Sequence, residues 1–299
     1  MSWLRIIHET SYTYAKQVRF GPHRLVLRPR EGHDLRVEQM LLEISPEFEL
    51  EWSRDVFGNS VATAHFLSKA DHLRIRSEVL VHQTAAFPVR AARPSIPVRF
   101  PVQYSELESA VAGAYRSTTF PDDLARVTMW VNDAINVSAS NRAEDVIADV
   151  ARAIRKAIKY RRREAKGVQT PTQTLDEGTG SCRDMATLML EALRILGFPA
   201  RFASGYLDCA ASEAGRASTH AWAEAYLPEI GWLGYDPTLG EPTSAKHVVT
   251  GVSNHPRGVM PVSGSYFDEK DAYLSMKVTV QTERVTKPSD SNVSRQHDD

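Results

Sequence analysis

The stretch GTGSCRDMATLMLEAL, residues 178–193, decides how this chain is read. Met185, Leu188, Met189, Ala192 and Leu193, then Leu196, recur at the spacing of one helical face, which predicts an amphipathic α-helix. Gly197 and Pro199 end it. The cysteine stands outside that stripe, on the first turn, directly after Gly178, Gly180 and Ser181. Unpaired N–H groups and the positive end of the helix macrodipole favour an anion there, and a thiolate is such an anion. The small residues ahead of it let a carbonyl come close, and the backbone N–H of Cys182 can serve as one oxyanion donor. A small apolar residue at a helix cap fits the same pattern, so a nucleophile needs further support: a base, and a group that orients the base.

Two later segments supply them. In STHAWAEAYLP, strand alternation puts His220, Trp222, Glu224 and Tyr226 on one face and Ala221, Ala223, Ala225 and Leu227 on the other. A histidine that leads such a strand can point into a cleft. In GWLGYDPTLG, Pro237 stops a strand by removing the next backbone donor. Asp236, just before it, can accept from imidazole Nδ1 while the aromatic rings of Trp232 and Tyr235 shield it. Taken singly, His220 reads as a half-buried core histidine and Asp236 as a strand-end turn. Taken together, the order Cys, His, Asp with gaps of 38 and 16 residues is what two adjacent antiparallel strands beside a helix deliver.

The 299-residue chain has 42% hydrophobic and 24% charged residues, the balance of a soluble globular protein. Its net charge of −1 gives no global field toward nucleic acid or an anionic membrane. No apolar run approaches the roughly 20 residues that span a bilayer, and the N-terminus carries no signal-peptide pattern. Two cysteines, Cys182 and Cys209, are too few for a disulfide framework, so the expected location is cytoplasmic. They also give no zinc-ligand spacing, so no metal and no cofactor are expected. The basic run AIRKAIKYRRREAKG, with Arg155, Lys156, Lys159, Arg161, Arg162, Arg163 and Lys166, reads as a solvated helix end rather than a nucleic-acid site.

Residues 1–85 read as short alternating strands, LRIIHETSYTY, RVEQMLLEI, FELEW, NSVATAHFL and HLRIRSEVLVH, with a hairpin turn at Gly58-Asn59. They predict an antiparallel β domain, most simply a sandwich. Residues 86–104 are proline-rich and read as a stiff linker. Helices follow: SELESAVAGAY with a capping box from Ser105 to Glu108, FPDDLARVTMWVNDAI with Pro121 at its start, and AEDVIADVARAIRKAIKY. Residues 105–286 form the expected catalytic core, with a last strand pair in SGSYFDEKDAYLSMKVTVQ. Residues 287–299 read as a disordered tail.

The segments GSCRDMATLMLEALRILGFPARFASGYL and HAWAEAYLPEIGWLGYDPT resemble the core of the bacterial transglutaminase-like superfamily. HETSYTY, RLVLRPR, RDVFGNSV and GVMPVSGSYF resemble the flanking parts of one bacterial subgroup. The likeness spans residues 1–283. It departs from the family pattern at Ser253-Asn254-His255-Pro256 and at Arg183, and it leaves the second oxyanion donor unassigned. The resemblance implies an α+β fold, an N-terminal antiparallel β-sandwich-like domain followed by a papain-like transglutaminase core. It implies Cys182 as nucleophile, His220 as base and Asp236 as orienting carboxylate. The expected activity is thiol acyl transfer on an amide or peptide bond, as a cysteine peptidase or amidase, with protein cross-linking or a non-catalytic binding module as the alternatives. Trp222 and Tyr206 are further candidates for substrate contact, while Asp184 reads as a helix-terminus charge. The expected partner is a peptide or amide substrate, with no nucleic acid and no membrane. The sequence does not determine the oligomeric state.

Overall fold

Alternating apolar residues form the N-terminal strands, and the computed structural model shows which surfaces their two faces meet. It describes residues 2–84, 97–137, 142–163, 167–208, 219–267 and 271–286. In chain order, the first strands are β1 (Ser2–Phe20), β2 (His23–Leu25), β3 (Leu35–Ser45), β4 (Phe48–Arg54), β5 (Ser60–Phe66) and β6 (Ala70–Gln83). Three helices follow, α1 (Glu106–Arg116), α2 (Leu124–Ala134) and α3 (Ala143–Ala157). Then come β7 (Lys159–Tyr160), α4 (Pro171–Glu177), β8 (Thr179–Gly180) and α5 (Cys182–Ile195). The remaining strands are β9 (Ala200–Leu207), β10 (His220–Leu227), β11 (Gly231–Asp236), β12 (Glu241–Pro242), β13 (His247–Ser253), β14 (Val262–Ser263), β15 (Tyr266–Phe267) and β16 (Tyr273–Val285).

The expected sandwich is present, but the first 85 residues do not complete it. One antiparallel sheet runs β15-β1-β6-β3 with β16 also on β1, and the second runs β14-β2-β5-β4. Strands from the end of the chain therefore close both sheets. β16 lies antiparallel along β1 from Trp3↔Val285 to Tyr14↔Tyr273, so the stretch from Val262 onward leaves the expected catalytic core and joins the β domain. The predicted hairpin forms between β4 and β5, where Gly58 takes φ 73°, a conformation that favours glycine. Asn59 beside it bonds both backbone groups of Val252 on β13 and so docks the turn on the core.

Residues 86–96 of the expected linker, the tail 287–299, Cys209 and Lys166 lie outside the described residues. The rest of the linker is not a free spacer. Val98, Phe100 and Val102 pack on the helical core, and Arg99 bridges Arg142.

Helix α1 starts at the predicted capping box, with Glu108 bonding the backbone N–H and hydroxyl of Ser105. Helix α5 departs from the amphipathic reading. Its polar face is buried as completely as its apolar one, because α1 to α4 surround it and the sheet packs on it. The polar residues there bond inward. Asp184 takes Ser181, Arg163 and the Gln169 N–H, and Glu191 takes Thr118, Thr119 and Arg194. Arg194 also donates to the carbonyls of Tyr115, Ala200 and Asn254. Arg163 thus pairs with a carboxylate at 0% side-chain exposure, so this part of the basic run is structural rather than solvated.

The core sheet has the order β12-β11-β10-β9-β13, antiparallel throughout. Ala221, Ala223, Ala225 and Leu227 of β10 face the α5 core, as the alternation predicts. Short side chains let helix and sheet approach closely.

Candidate active site

Cys182 is the first residue of α5, and His220 is the first of β10. Ser181 is the N-cap, and Asp184 completes a capping box by accepting from the Ser181 N–H at 2.8 Å and its hydroxyl at 2.7 Å. Arg163 and the Gln169 N–H also donate to Asp184. Although burial opposes it, these donors hold the Asp184 carboxyl below its ordinary range. Asp184 therefore fixes the start of α5, as the helix-terminus reading expects, and so places Cys182.

The structure brings together the three residues singled out in the sequence. His220 Nε2 lies 2.7 Å from Asp236 Oδ2, and the Cys182 side chain lies near enough to the same ring to raise its basicity. Cys182 and His220 are each 7% exposed, and Asp236 is fully buried. One detail is corrected: Nε2, not Nδ1, faces the carboxylate. His220 and Asp236 stand on neighbouring strands, so the ring lies across the sheet and its far nitrogen reaches the aspartate. Nδ1 is left for the thiol.

Charge follows from this geometry. Burial works against a cationic His220, but the hydrogen bonds and charges of Asp236 and Cys182 outweigh it and raise its pKa to about 10. Burial would keep Asp236 protonated. Donation from His220, from His247 and from Thr238 overrides that and holds its carboxyl well below the usual range. Thr238 donates to Oδ1 from both its hydroxyl, at 2.6 Å, and its backbone N–H, at 2.8 Å. The result is a buried carboxylate beside an imidazolium beside a cysteine.

Two candidates fall differently. Trp222 is next to the site, its ring stacked on His220 at 6.2 Å and edge-on to His247 at 5.2 Å. At 1% exposure it supports the histidines from behind. Tyr206 is corrected as a substrate contact. It is 1% exposed, its hydroxyl bonds His8 Nδ1 at 3.0 Å, and it packs with Leu4, Ile6, Val79 and Val81 of the β domain. On β9 it shares a face with Ala200 and Phe202, which pack on the α5 core, but near the end of the strand that face meets the β domain instead.

His247 is the residue that the sequence reading missed. Its Nε2 lies 3.3 Å from Asp236 Oδ2. The β-branched run HVVTGVS was the available signal for β13, and its first residue is this histidine.

His220, Asp236 and His247 bring three ligand-type atoms within 4.8 Å of one another, so a metal site needs testing. It does not fit. The Ser244 N–H donates to His247 Nδ1 at 3.1 Å. Metal ligation through Nε2 would force the ring proton onto Nδ1, against that donor. His220 would also have to give up the proton it shares with Asp236.

Two family models match the chain: the bacterial transglutaminase-like N-terminal region over residues 4–82 and the transglutaminase-like superfamily over residues 122–237. An uncharacterized protein of Mycobacterium leprae is 25% identical over 269 residues, 88% of this chain and 92% of that protein. A protein-glutamine gamma-glutamyltransferase of Pseudomonas aeruginosa is 39% identical over 69 residues, 21% of this chain and 10% of that protein. A crystal structure from Cytophaga hutchinsonii, described as a candidate cysteine protease, superposes with a TM-score of 0.71 at 15% identity. It covers 97% of this chain and 92% of its own. That likeness is one of fold.

Proposed function

The chain belongs to the transglutaminase-like superfamily, and on that premise we propose that it is a thiol acyl-transfer enzyme acting on an amide or peptide bond. The observation that carries the reading is the buried line Asp236–His220–Cys182. A cationic His220 is the partner a thiolate nucleophile needs. Cys182 Sγ attacks the carbonyl carbon, and the carbonyl electrons move onto oxygen. The Cys182 N–H, in the first turn of α5 where no carbonyl within the helix reaches it, faces that charge. The carbon–nitrogen bond then breaks, His220 Nδ1 gives its proton to the leaving amine, and a thioester remains. Asp236 keeps the ring oriented and offsets its charge throughout.

Water then attacks the thioester, with His220 taking its proton, so the net reaction is hydrolysis. The buried site favours this acceptor. A cysteine that is 7% exposed offers a bulky acceptor little access, which supports water as the acceptor. The local identity with the Pseudomonas gamma-glutamyltransferase supports a second reading, transfer to a primary amine through the same thioester.

Alkylation of Cys182 by iodoacetamide tests the proposal, with Cys209 as internal comparison and His220→Ala alongside. Fast alkylation of Cys182 at neutral pH that is lost without His220 is expected. Amide and peptide substrates with and without an added amine then separate hydrolysis from transfer. If Cys182 reacts no faster than Cys209, and His220→Ala changes nothing, the chain is a binding module that keeps the fold without the chemistry.

A further inference from the structure

Asp236 Oδ2 faces two imidazoles, not one. His220 Nε2 is at 2.7 Å and His247 Nε2 at 3.3 Å, while Oδ1 is taken by the two Thr238 donors. His247 opens β13, and β9 and β10 lie between that strand and β11, yet its ring reaches the carboxylate. Its side chain is 4% exposed. The Ser244 N–H donates to His247 Nδ1 at 3.1 Å. That nitrogen is therefore an acceptor, and the ring hydrogen sits on Nε2, aimed at Asp236. Trp222 touches both rings and fixes their separation.

We propose that His247 is a positioning residue for the acyl-transfer reaction: by donating from Nε2 to the same Asp236 oxygen that faces His220, it sets how strongly the carboxylate holds the His220 proton. This rests on the function proposed above. The titratable groups facing the carboxylate are His220 on β10 and His247 on β13, with Cys182 on α5 beyond His220. Each donor to a carboxylate oxygen draws on the same negative charge. A second donor leaves less of it for the imidazolium, so His220 gives up its proton to the leaving amine more readily. Asp236 alone would make His220 a stronger base and a poorer acid.

Histidine-selective NMR titration of the full chain tests this without a substrate. His247→Phe keeps the ring volume and the contact with Trp222 but cannot donate. His247→Gln can donate through its amide. The expected result is an upward move of the His220 titration by roughly half a unit to one unit in His247→Phe, with His247→Gln returning it toward wild type. An unchanged or downward titration in His247→Phe overturns the proposal. So does an equal shift in both variants, which a purely structural role would give. Independently of any variant, the 15N shifts of wild-type His247 must show the Nε2–H tautomer, and Nδ1–H overturns the proposal outright. Iodoacetamide alkylation of wild type and His220→Ala is read separately. If His220 does not accelerate Cys182, the acyl-transfer reading fails. If it does and His247→Phe leaves His220 unmoved, only the role of His247 fails.

Discussion

At the scale of single residues, the proposed chemistry rests on one fully buried carboxylate that four donors keep ionised. Asp236→Asn removes the charge while keeping most of the shape. The pKa of His220, now about 10, should then fall, because the burial that opposes the cation remains and only Cys182 still supports it. Less imidazolium then stands beside Cys182 at neutral pH. Turnover, once a substrate is found, should drop by about 10³–10⁴-fold, and iodoacetamide alkylation at pH 7 should slow with it. The same shift has a stability consequence of definite sign. A histidine whose folded pKa is raised contributes stability fully below its unfolded value near 6.5, and loses that contribution as pH rises through about 10. Wild type should therefore lose thermal stability across that alkaline window more steeply than His220→Ala. Cys182, His220 and Asp236 were legible because each sits at an element boundary marked by glycine, alternation or proline. His247 was not, because its role depends on a contact across intervening strands.

At the scale of elements, α5 and the sheet beside it set the geometry. Glu191 and Arg194 form an ion pair at 3% and 1% side-chain exposure on the face of α5 that the stripe reading left to solvent. Glu191→Gln strands a buried guanidinium and should cost about 3–5 kcal/mol, seen as a lower urea midpoint. An unchanged midpoint would mean that the Tyr115, Ala200 and Asn254 carbonyls suffice to hold Arg194. In the sheet, Gly205 pairs with His220 on one side and Val249 on the other. A Cβ there would stand 1.9 Å from the Val248 carbonyl oxygen. Gly205→Ala should push β13 off β9, lower the melting temperature and displace His247. A crystal structure or an amide-exchange map with β13 still protected would contradict this. Helix and strand positions were readable from periodicity, because a side chain's spacing along its own element is local. The burial of α5 on all sides was not, since it depends on four other helices and a sheet arriving around it.

At the scale of the whole molecule, one face of the β1-containing sheet serves two partners. Tyr14, Leu73 and Ile75 pack against the second sheet of the sandwich, while Leu4, Ile6, Val79 and Val81 pack on Tyr206 and Val248 of the core. At that junction His8 is 1% exposed and held between Tyr206 and Thr10. Burial lowers its pKa to about 4. A histidine whose folded pKa lies below its unfolded value of 6.5 contributes stability above that value and loses it as pH falls through about 4. The junction should weaken across that acid window, and His8→Gln, which keeps hydrogen-bonding capacity without titrating, should flatten the loss in a thermal melt. Equal slopes in both proteins would remove His8 as the cause.

The sequence by itself determined the α+β class, the helix with its leading cysteine, the strands bearing His220 and Asp236, and the strand-rich start of the chain. Those features follow from residue spacing within single elements and from local backbone preferences. Only the tertiary structure decided that Val262 and the segments after it complete the first domain, that Tyr206 belongs to the junction between the domains, that Nε2 of His220 meets Asp236, and that a second histidine shares that carboxylate. Each depends on which surfaces meet across long separations in sequence, and burial and hydrogen-bond competition among distant elements settle that, not any periodicity along the chain.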